Sequence, residues 1–184
     1  MTWLNPPPEA TLAGETMTVT TGDRTDFWRK THYGFVRDNG HFLHHPVTGD
    51  FSAEVTLSAQ YEALYDQAGL MLRIDATRWV KAGIEHTDGQ PFFSTVITND
   101  RSDWSIIALP FAADRVCLRL TRHADTVRVQ VRRPDGGWMM TRLGYLDAGP
   151  ATVGVMACSP ERAGLVASFH DYICGPAIDR ALHD

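Results

Sequence analysis

Two neighbouring stretches, Tyr65 to Asp75 and Trp79 to His86, alternate from residue to residue in a way that only an extended chain can use. Successive side chains leave a β-strand on opposite sides, so a period of two divides each stretch into two faces. Ala68, Leu70, Leu72 and Ile74 share one face of the first, and Val80, Ala82 and Ile84 share one face of the second. The opposite faces carry Gln67, Met71 and Arg73 beside Trp79, Lys81 and Glu85. If the short Ala76-Thr77-Arg78 connection joins the strands as antiparallel neighbours, their faces combine. An indole, a guanidinium, an ammonium and a carboxylate then lie on one sheet surface, which reads as a ligand-binding face. Gly69 and Gly83 lack side chains there and are expected to leave room for a ligand to approach the sheet. The competing reading is a solvated cross-strand ladder of charges, worth only about 0–1 kcal/mol per exposed pair.

The same alternation runs through most of the chain. Strands are expected at Thr16 to Thr21, Gly34 to Arg37, Phe51 to Ser58, Ala68 to Ile74, Trp79 to His86 and Phe92 to Thr98. Further strands are expected at Ser105 to Leu109, Arg115 to Thr121, Thr126 to Arg132, Ala151 to Ala157 and Leu165 to Tyr172. Between them lie Asp38-Asn39-Gly40, Thr48-Gly49-Asp50, Pro134-Asp135-Gly136-Gly137 and Ala148-Gly149-Pro150, in which Gly and Asn accept positive φ and Pro fixes φ. Many short strands with almost no helical periodicity predict an all-β, two-sheet antiparallel sandwich of jelly-roll type, one domain over residues 1–184. The one helix candidate is the tail, Pro176 to His183. Pro6 to Pro8 read as an extended lead-in to the first strand.

Composition narrows the function classes. A net charge of -5 with dispersed basic residues argues against nucleic acid, which demands a dense basic surface. No stretch reaches the ~18 apolar residues of a membrane span, and the N-terminus lacks the pattern of a signal peptide, so no membrane association is expected. Cys117, Cys158 and Cys174 are odd in number and widely spaced, which fits a reducing, cytoplasmic setting rather than a disulfide framework or a zinc site.

Three constellations carry chemistry. Thr25 to Leu43 gathers Phe27, Trp28, His32, Tyr33, Phe35 and Phe42 with Asp26, Arg29 and Lys30. Aromatic rings stack on the C–H faces of sugars while polar groups bond the hydroxyls, which suits Trp28 and Tyr33; Phe27, Phe35 and Phe42 read as core. The second is the paired-strand face with Gln67, Arg73, Lys81 and Glu85. The third is Ser94 to Ser105, in which a strand ends in a polar loop from Asn99 to Asp103 and resumes at Trp104. That loop lacks EF-hand spacing and reads as a turn framing one end of a groove, with Asn99, Ser102 and Trp104 at its rim. The His41 to His45 run has no HExxH partner and is not read as a metal site. His86, His123 and His170 are isolated. No GxSxG elbow occurs. Glycoside hydrolysis needs a second carboxylate beside Glu85, for which Glu54, Asp26, Asp66 and Asp103 are candidates.

On the stretches Thr25 to Leu43, Tyr65 to Arg73, Trp79 to His86 and Ser94 to Ser105, the chain resembles the small bacterial and fungal proteins described as regulation-of-enolase-type domains of unknown function, within the concanavalin A-like lectin/glucanase superfamily. The resemblance implies a concanavalin A-like jelly roll whose concave face, in the wider superfamily, holds carbohydrate or cleaves glycans. The ExDxE strand pattern of many sandwich-fold glucanases is absent from this chain. The ligand-binding residues expected on the concave face are Trp28, Tyr33, Gln67, Arg73, Lys81, Glu85 and Trp104.

The leading expectation is a protein that binds a saccharide or sugar-derived metabolite on that face, without cofactor or metal. The first alternative is a glycosidase- or lyase-like enzyme with Glu85 as the catalytic acid or base. The second is a protein-interaction or regulatory module, with a protein partner or a homodimer left open.

Overall fold

In this computed structural model, which describes residues 1–182, the alternating stretches become strands and no helix forms among the described residues. In chain order the strands are β1 (Thr2–Leu4), β2 (Glu9–Ala13), β3 (Thr16–Thr20), β4 (Phe27–Arg29), β5 (Val36–Asp38), β6 (His41–Val47), β7 (Phe51–Ala59) and β8 (Gln67–Arg73). They continue with β9 (Arg78–Thr87), β10 (Gln90–Asn99), β11 (Arg101–Ile107), β12 (Val116–His123), β13 (Thr126–Arg132), β14 (Trp138–Tyr145), β15 (Ala151–Cys158) and β16 (Val166–Gly175).

Two seven-stranded antiparallel sheets form the sandwich, ordered β1-β6-β15-β8-β9-β10-β11 and β14-β13-β12-β7-β16-β3-β2, with β4 and β5 as a separate ribbon. This is the expected jelly-roll sandwich. The faces divide as the alternation requires: Ala68, Leu70, Leu72, Val80, Ala82 and Ile84 pack against Val55, Leu57, Leu118, Leu120, Val127 and Val129 of the other sheet. Each large aliphatic side chain so buried contributes about 1.5–3 kcal/mol. β8 and β9 pair with Gln67 opposite Glu85, Gly69 opposite Gly83, Met71 opposite Lys81 and Arg73 opposite Trp79. Their connection is closed by the Asp75 carboxylate, whose Oδ1 accepts the N–H groups of Thr77 at 2.8 Å and Arg78 at 2.9 Å.

The outer face of the first sheet departs most from expectation. It is roofed by the β4–β5 ribbon rather than open. Phe42, Met71, Trp79, Val96, Met156 and Cys158 of the sheet pack with Phe27 and Trp28 of the ribbon into a second apolar cluster. Trp79 and Met71 are therefore buried floor, not ligand surface. The two glycines serve strand pairing instead of ligand access. A Cβ on Gly69 would meet the Ala82 carbonyl oxygen at 1.9 Å, and one on Gly83 the Ala68 oxygen at 2.0 Å.

Smaller departures have local causes. The tail from Pro176 to Leu182 is not helical, and His183 lies outside the described residues. Its backbone is committed elsewhere: the Arg128 guanidinium takes the carbonyls of Asp179 and Ala181, and the Ile178 N–H donates to Ser52 Oγ at 3.1 Å. β1 precedes Pro6, so the proline run links two strands instead of leading into the first. Asn99 to Asp103 is a tight hairpin rather than a loop, with Asp100 alone at the turn (φ 57°) and β11 already resumed at Arg101.

A roofed cleft as candidate functional site

The polypeptide from Asp26 to Asp38 lies over β8, β9 and β10, and where the roof ends a cleft opens. The Trp28 to Arg37 pairing brings the ribbon's two arms together, and the turn between them carries His32 and Gly34 at positive φ. The ribbon is fastened at both ends. Arg73 reaches up from β8 to clasp Asp38 with two bonds, 2.7 and 2.8 Å long. At the other end the Arg29 N–H donates to the buried Ser102 hydroxyl at 2.9 Å.

Asp26, Trp28, Tyr33, Phe35, Arg37, Tyr65, Gln67, Lys81, Glu85, Val96, Trp104, Pro160 and Glu161 line a cleft of about 110 Å³. That is well below the ~300–1,000 Å³ of sites for drug-sized ligands, so it suits one small group or ring. A shallower depression continues past Trp28, Tyr33 and Trp104 toward Thr31, His32 and Asp103. Trp28 forms a wall, its indole N–H spent on the Thr31 carbonyl at 2.9 Å. Tyr33 and Phe35 stack 5.3 Å apart, and the Tyr33 hydroxyl meets that of Tyr65 at 2.9 Å. That bond, with burial adding to it, pushes the Tyr65 phenol up to about 12. Trp104 stands edge-on to Tyr65, 6.2 Å between centroids, and its N–H donates to Ser94 Oγ at 3.1 Å.

The floor is charged. Lys81 Nζ donates to Asp26 Oδ1 at 2.9 Å, the two side chains being 4% and 12% exposed. Asp26 is held by the backbone as well: its Oδ1 accepts the Phe27 N–H at 2.8 Å, and its own N–H donates to Asn39 Oδ1 at 3.0 Å. Burial alone depresses the Lys81 ammonium, but the Asp26 carboxylate and its neighbours outweigh it and the net shift is upward. Lys81 is thus a protonated, paired cation rather than a free amine. Glu85, 4% exposed, goes the other way. Burial pushes its carboxyl up, and the attraction of Lys81 with the hydrogen bonds of Ser94 and Trp104 recovers only part of that. Burial likewise raises the nearby Cys158 thiol, which is therefore not a ready nucleophile.

Six of the seven residues read as ligand-binding, Trp28, Tyr33, Gln67, Lys81, Glu85 and Trp104, meet at this cleft. Arg73 does not, because its guanidinium is consumed by Asp38. Of the carboxylates weighed as partners for Glu85, only Asp26 shares the cleft. Glu54 pairs with Arg119, Asp103 with Arg142, and the fully buried Asp66 with Arg162. Phe27 and Phe42 are core, but Phe35 is 39% exposed and lines the cleft. Tyr65, Arg37, Pro160 and Glu161 were not singled out as site residues; Tyr65 and Arg37 lay inside the stretches that were, whereas Pro160 and Glu161 follow β15 and carry no local signal. His41 and His45 are placed elsewhere, while His32 packs on Tyr33 beside the depression. His41 accepts the Gly22 N–H at 2.9 Å through Nε2 and bonds the Asn5 carbonyl at 2.7 Å through Nδ1, and His45 meets the Tyr172 hydroxyl at 2.8 Å.

The family model described as "Protein of unknown function (DUF1349)" matches residues 3–177. "Regulation of enolase protein 1" of Saccharomyces cerevisiae is 42% identical over 184 residues, which span 100% of this chain and 93% of the yeast protein. A solved structure described as that of a functionally unknown protein from Saccharomyces cerevisiae superposes with a TM-score of 0.93 at 41% identity over 97% of both chains. The GH43 BlXynB protein from Bacillus licheniformis superposes with a TM-score of 0.63 at 15% identity, over 89% of this chain and 33% of its own, a likeness of fold alone.

Proposed function

The chain belongs to the DUF1349 family, and we propose that it is a one-domain, cytoplasmic protein whose roofed cleft binds a small saccharide or sugar-derived metabolite. One observation carries this reading: aromatic walls, Trp28, Tyr33 and Trp104, stand over a floor of fixed polar groups, Gln67, Lys81 and Glu85. Rings offer apolar faces to sugar C–H groups while the floor supplies donors and acceptors for hydroxyls, and the depression past Trp28, Tyr33 and Trp104 extends the room for a ligand. The Gln67 side chain uses one donor on the Tyr65 carbonyl at 3.1 Å, which orients its amide. The name of the yeast relative, regulation of enolase, suggests that ligand occupancy serves a regulatory role, with a protein partner reading the occupied state.

A catalytic reading has one observation in its favour. Glu85 is a carboxyl whose pKa is raised by burial, the direction in which a general acid is tuned. Asp26 is the carboxylate that would accompany it.

The test is a melting-temperature screen of the purified protein against neutral sugars, sugar acids, amino sugars and sugar phosphates, followed by calorimetry. A ligand at a hundred times its dissociation constant adds about 2.7 kcal/mol, or several degrees at roughly 2–4 °C per kcal/mol. Trp104→Ala is expected to weaken binding about tenfold or more while the protein stays folded by circular dichroism. No response to any sugar class, or an unchanged affinity in Trp104→Ala, overturns the proposal. Product formation from a bound saccharide, lost in Glu85→Gln, would establish the catalytic reading.

A further inference from the structure

We infer that the ligand of the cleft carries a positively charged amino group, seated against Glu85 between the aromatic walls. The inference rests on the saccharide reading and narrows it to amino sugars in their ammonium form.

The argument begins with the charges that face the cleft. Three carboxyl groups, Asp26, Glu85 and Glu161, meet two cations, Lys81 and Arg37. Only Lys81 is paired with a carboxylate. Lys81 is bound to Asp26 at 2.9 Å, and Arg37 donates to the Pro160 carbonyl at 3.2 Å while lying 4.9 Å from the centre of the Phe35 ring. A phosphate or carboxylate ligand would find one cation without a carboxylate partner, Arg37, against three carboxyl groups. Glu85 stands in the opposite situation. It belongs to no ion pair among the described residues, yet it is 4% exposed. Ser94 and Trp104 offer hydrogen bonds, which orient the carboxyl but do not neutralise it. A buried carboxylate without a counter-ion is costly, so a cation delivered by a ligand restores the missing charge.

The walls favour the same chemistry. Trp28, Tyr33, Phe35, Tyr65 and Trp104 surround the opening, and the negative faces of aromatic rings attract ammonium groups, most strongly where water is excluded. A neutral hydroxyl gains little from such rings. An ammonium group gains from the rings and the carboxylate together.

Isothermal calorimetry near neutral pH, with glucosamine, N-acetylglucosamine, glucose and tetramethylammonium as probes, tests this. Glucosamine is expected to bind at least about tenfold more tightly than glucose or N-acetylglucosamine, a difference of about 1.4 kcal/mol. In Glu85→Gln the preference should collapse to within about threefold. Should that variant fail to fold, the unaltered protein still decides. The charge of tetramethylammonium does not titrate, so its affinity must fall as acidification protonates Glu85. The charged and titratable groups facing the cleft with Glu85 in that experiment are Lys81 on its own strand, Asp26 ahead of β4, Arg37 on β5, Tyr65 ahead of β8, Cys158 at the end of β15 and Glu161 after it, so the fall is compared with that of Glu85→Gln where that variant folds. Equal binding of glucose and glucosamine overturns the ammonium inference while the saccharide reading stands. Binding of tetramethylammonium in a Glu85-dependent way, with no sugar bound, sinks the saccharide reading and leaves the ammonium site. Binding of none of these probes overturns the ammonium inference, and the wider sugar screen then decides the saccharide reading.

Discussion

Lys81 and Glu85 lie four residues apart on one face of β9, and their electrostatic situations are opposite. Lys81 is stabilised in its charged form by Asp26, whereas Glu85 is penalised in its charged form by burial. A carboxyl whose native pKa lies above its ordinary 4.5 holds its proton more tightly when folded. The stability it contributes is complete below that value and is lost as pH rises through the raised native one. Glu85→Gln is therefore expected to be more stable than the parent at neutral and mildly alkaline pH, with the difference vanishing in acid, as urea melts across that range would read. Lys81→Met should do the reverse. Removing one partner of a buried ion pair costs about 3–5 kcal/mol, because Asp26 is left charged and unmatched, and the melting temperature should fall by roughly 10 °C. Adding Asp26→Asn to Lys81→Met should recover part of that loss; an additive double mutant would show that the pair does not act as one.

Among the elements, the β4–β5 ribbon turns a sheet face into a cleft, and its ties differ in strength. The bonds of Asp100 to Arg29 and Lys30 are exposed on the acid side and contribute little. The Arg73 to Asp38 clasp is bidentate and sheltered on the arginine side, 11% exposed against 34% for the aspartate. Allowing for solvent screening at Asp38, Arg73→Ala should cost about 1–2 kcal/mol. It should also loosen the ribbon, so faster amide exchange is expected in β4 and β5 than in β9. Equal exchange in both would mean that the clasp does not hold the roof. Gly83→Ala is a sharper test of pairing: its Cβ would collide with the backbone of β8, which cannot yield as a side-chain tip can. A loss larger than the usual 1–3 kcal/mol of core overpacking is expected, read as a fall in the urea midpoint.

Across the whole molecule, the sandwich has two apolar layers, one between the sheets and one between the first sheet and the ribbon. Leu70→Ala empties the first layer and should cost about 2–5 kcal/mol with little effect on the cleft. Met71→Ala should cost about as much but also undermine the floor beneath the ribbon, so ligand affinity should fall in Met71→Ala and hold in Leu70→Ala. The sequence by itself determined which residues of β8 and β9 face the core, because side-chain alternation is a property of the extended backbone. It also marked Gln67, Lys81 and Glu85 by their place in alternating strands, and Trp28, Tyr33 and Trp104 by their chemistry beside polar neighbours. The short strands β1 and β4 carry too few residues for a period to declare itself, and β6 is masked by its histidines, whereas β5 overlaps the strand expected at Gly34 to Arg37. Only the tertiary structure decided that Arg73 fastens the roof instead of meeting a ligand, that the glycines close a strand pair, and that Asp26 claims Lys81 while Glu85 is left alone. Those outcomes depend on contacts between residues as far apart as 26 and 81, which no local pattern encodes. The fate of a charged side chain is set by whichever opposite charge the fold brings within reach.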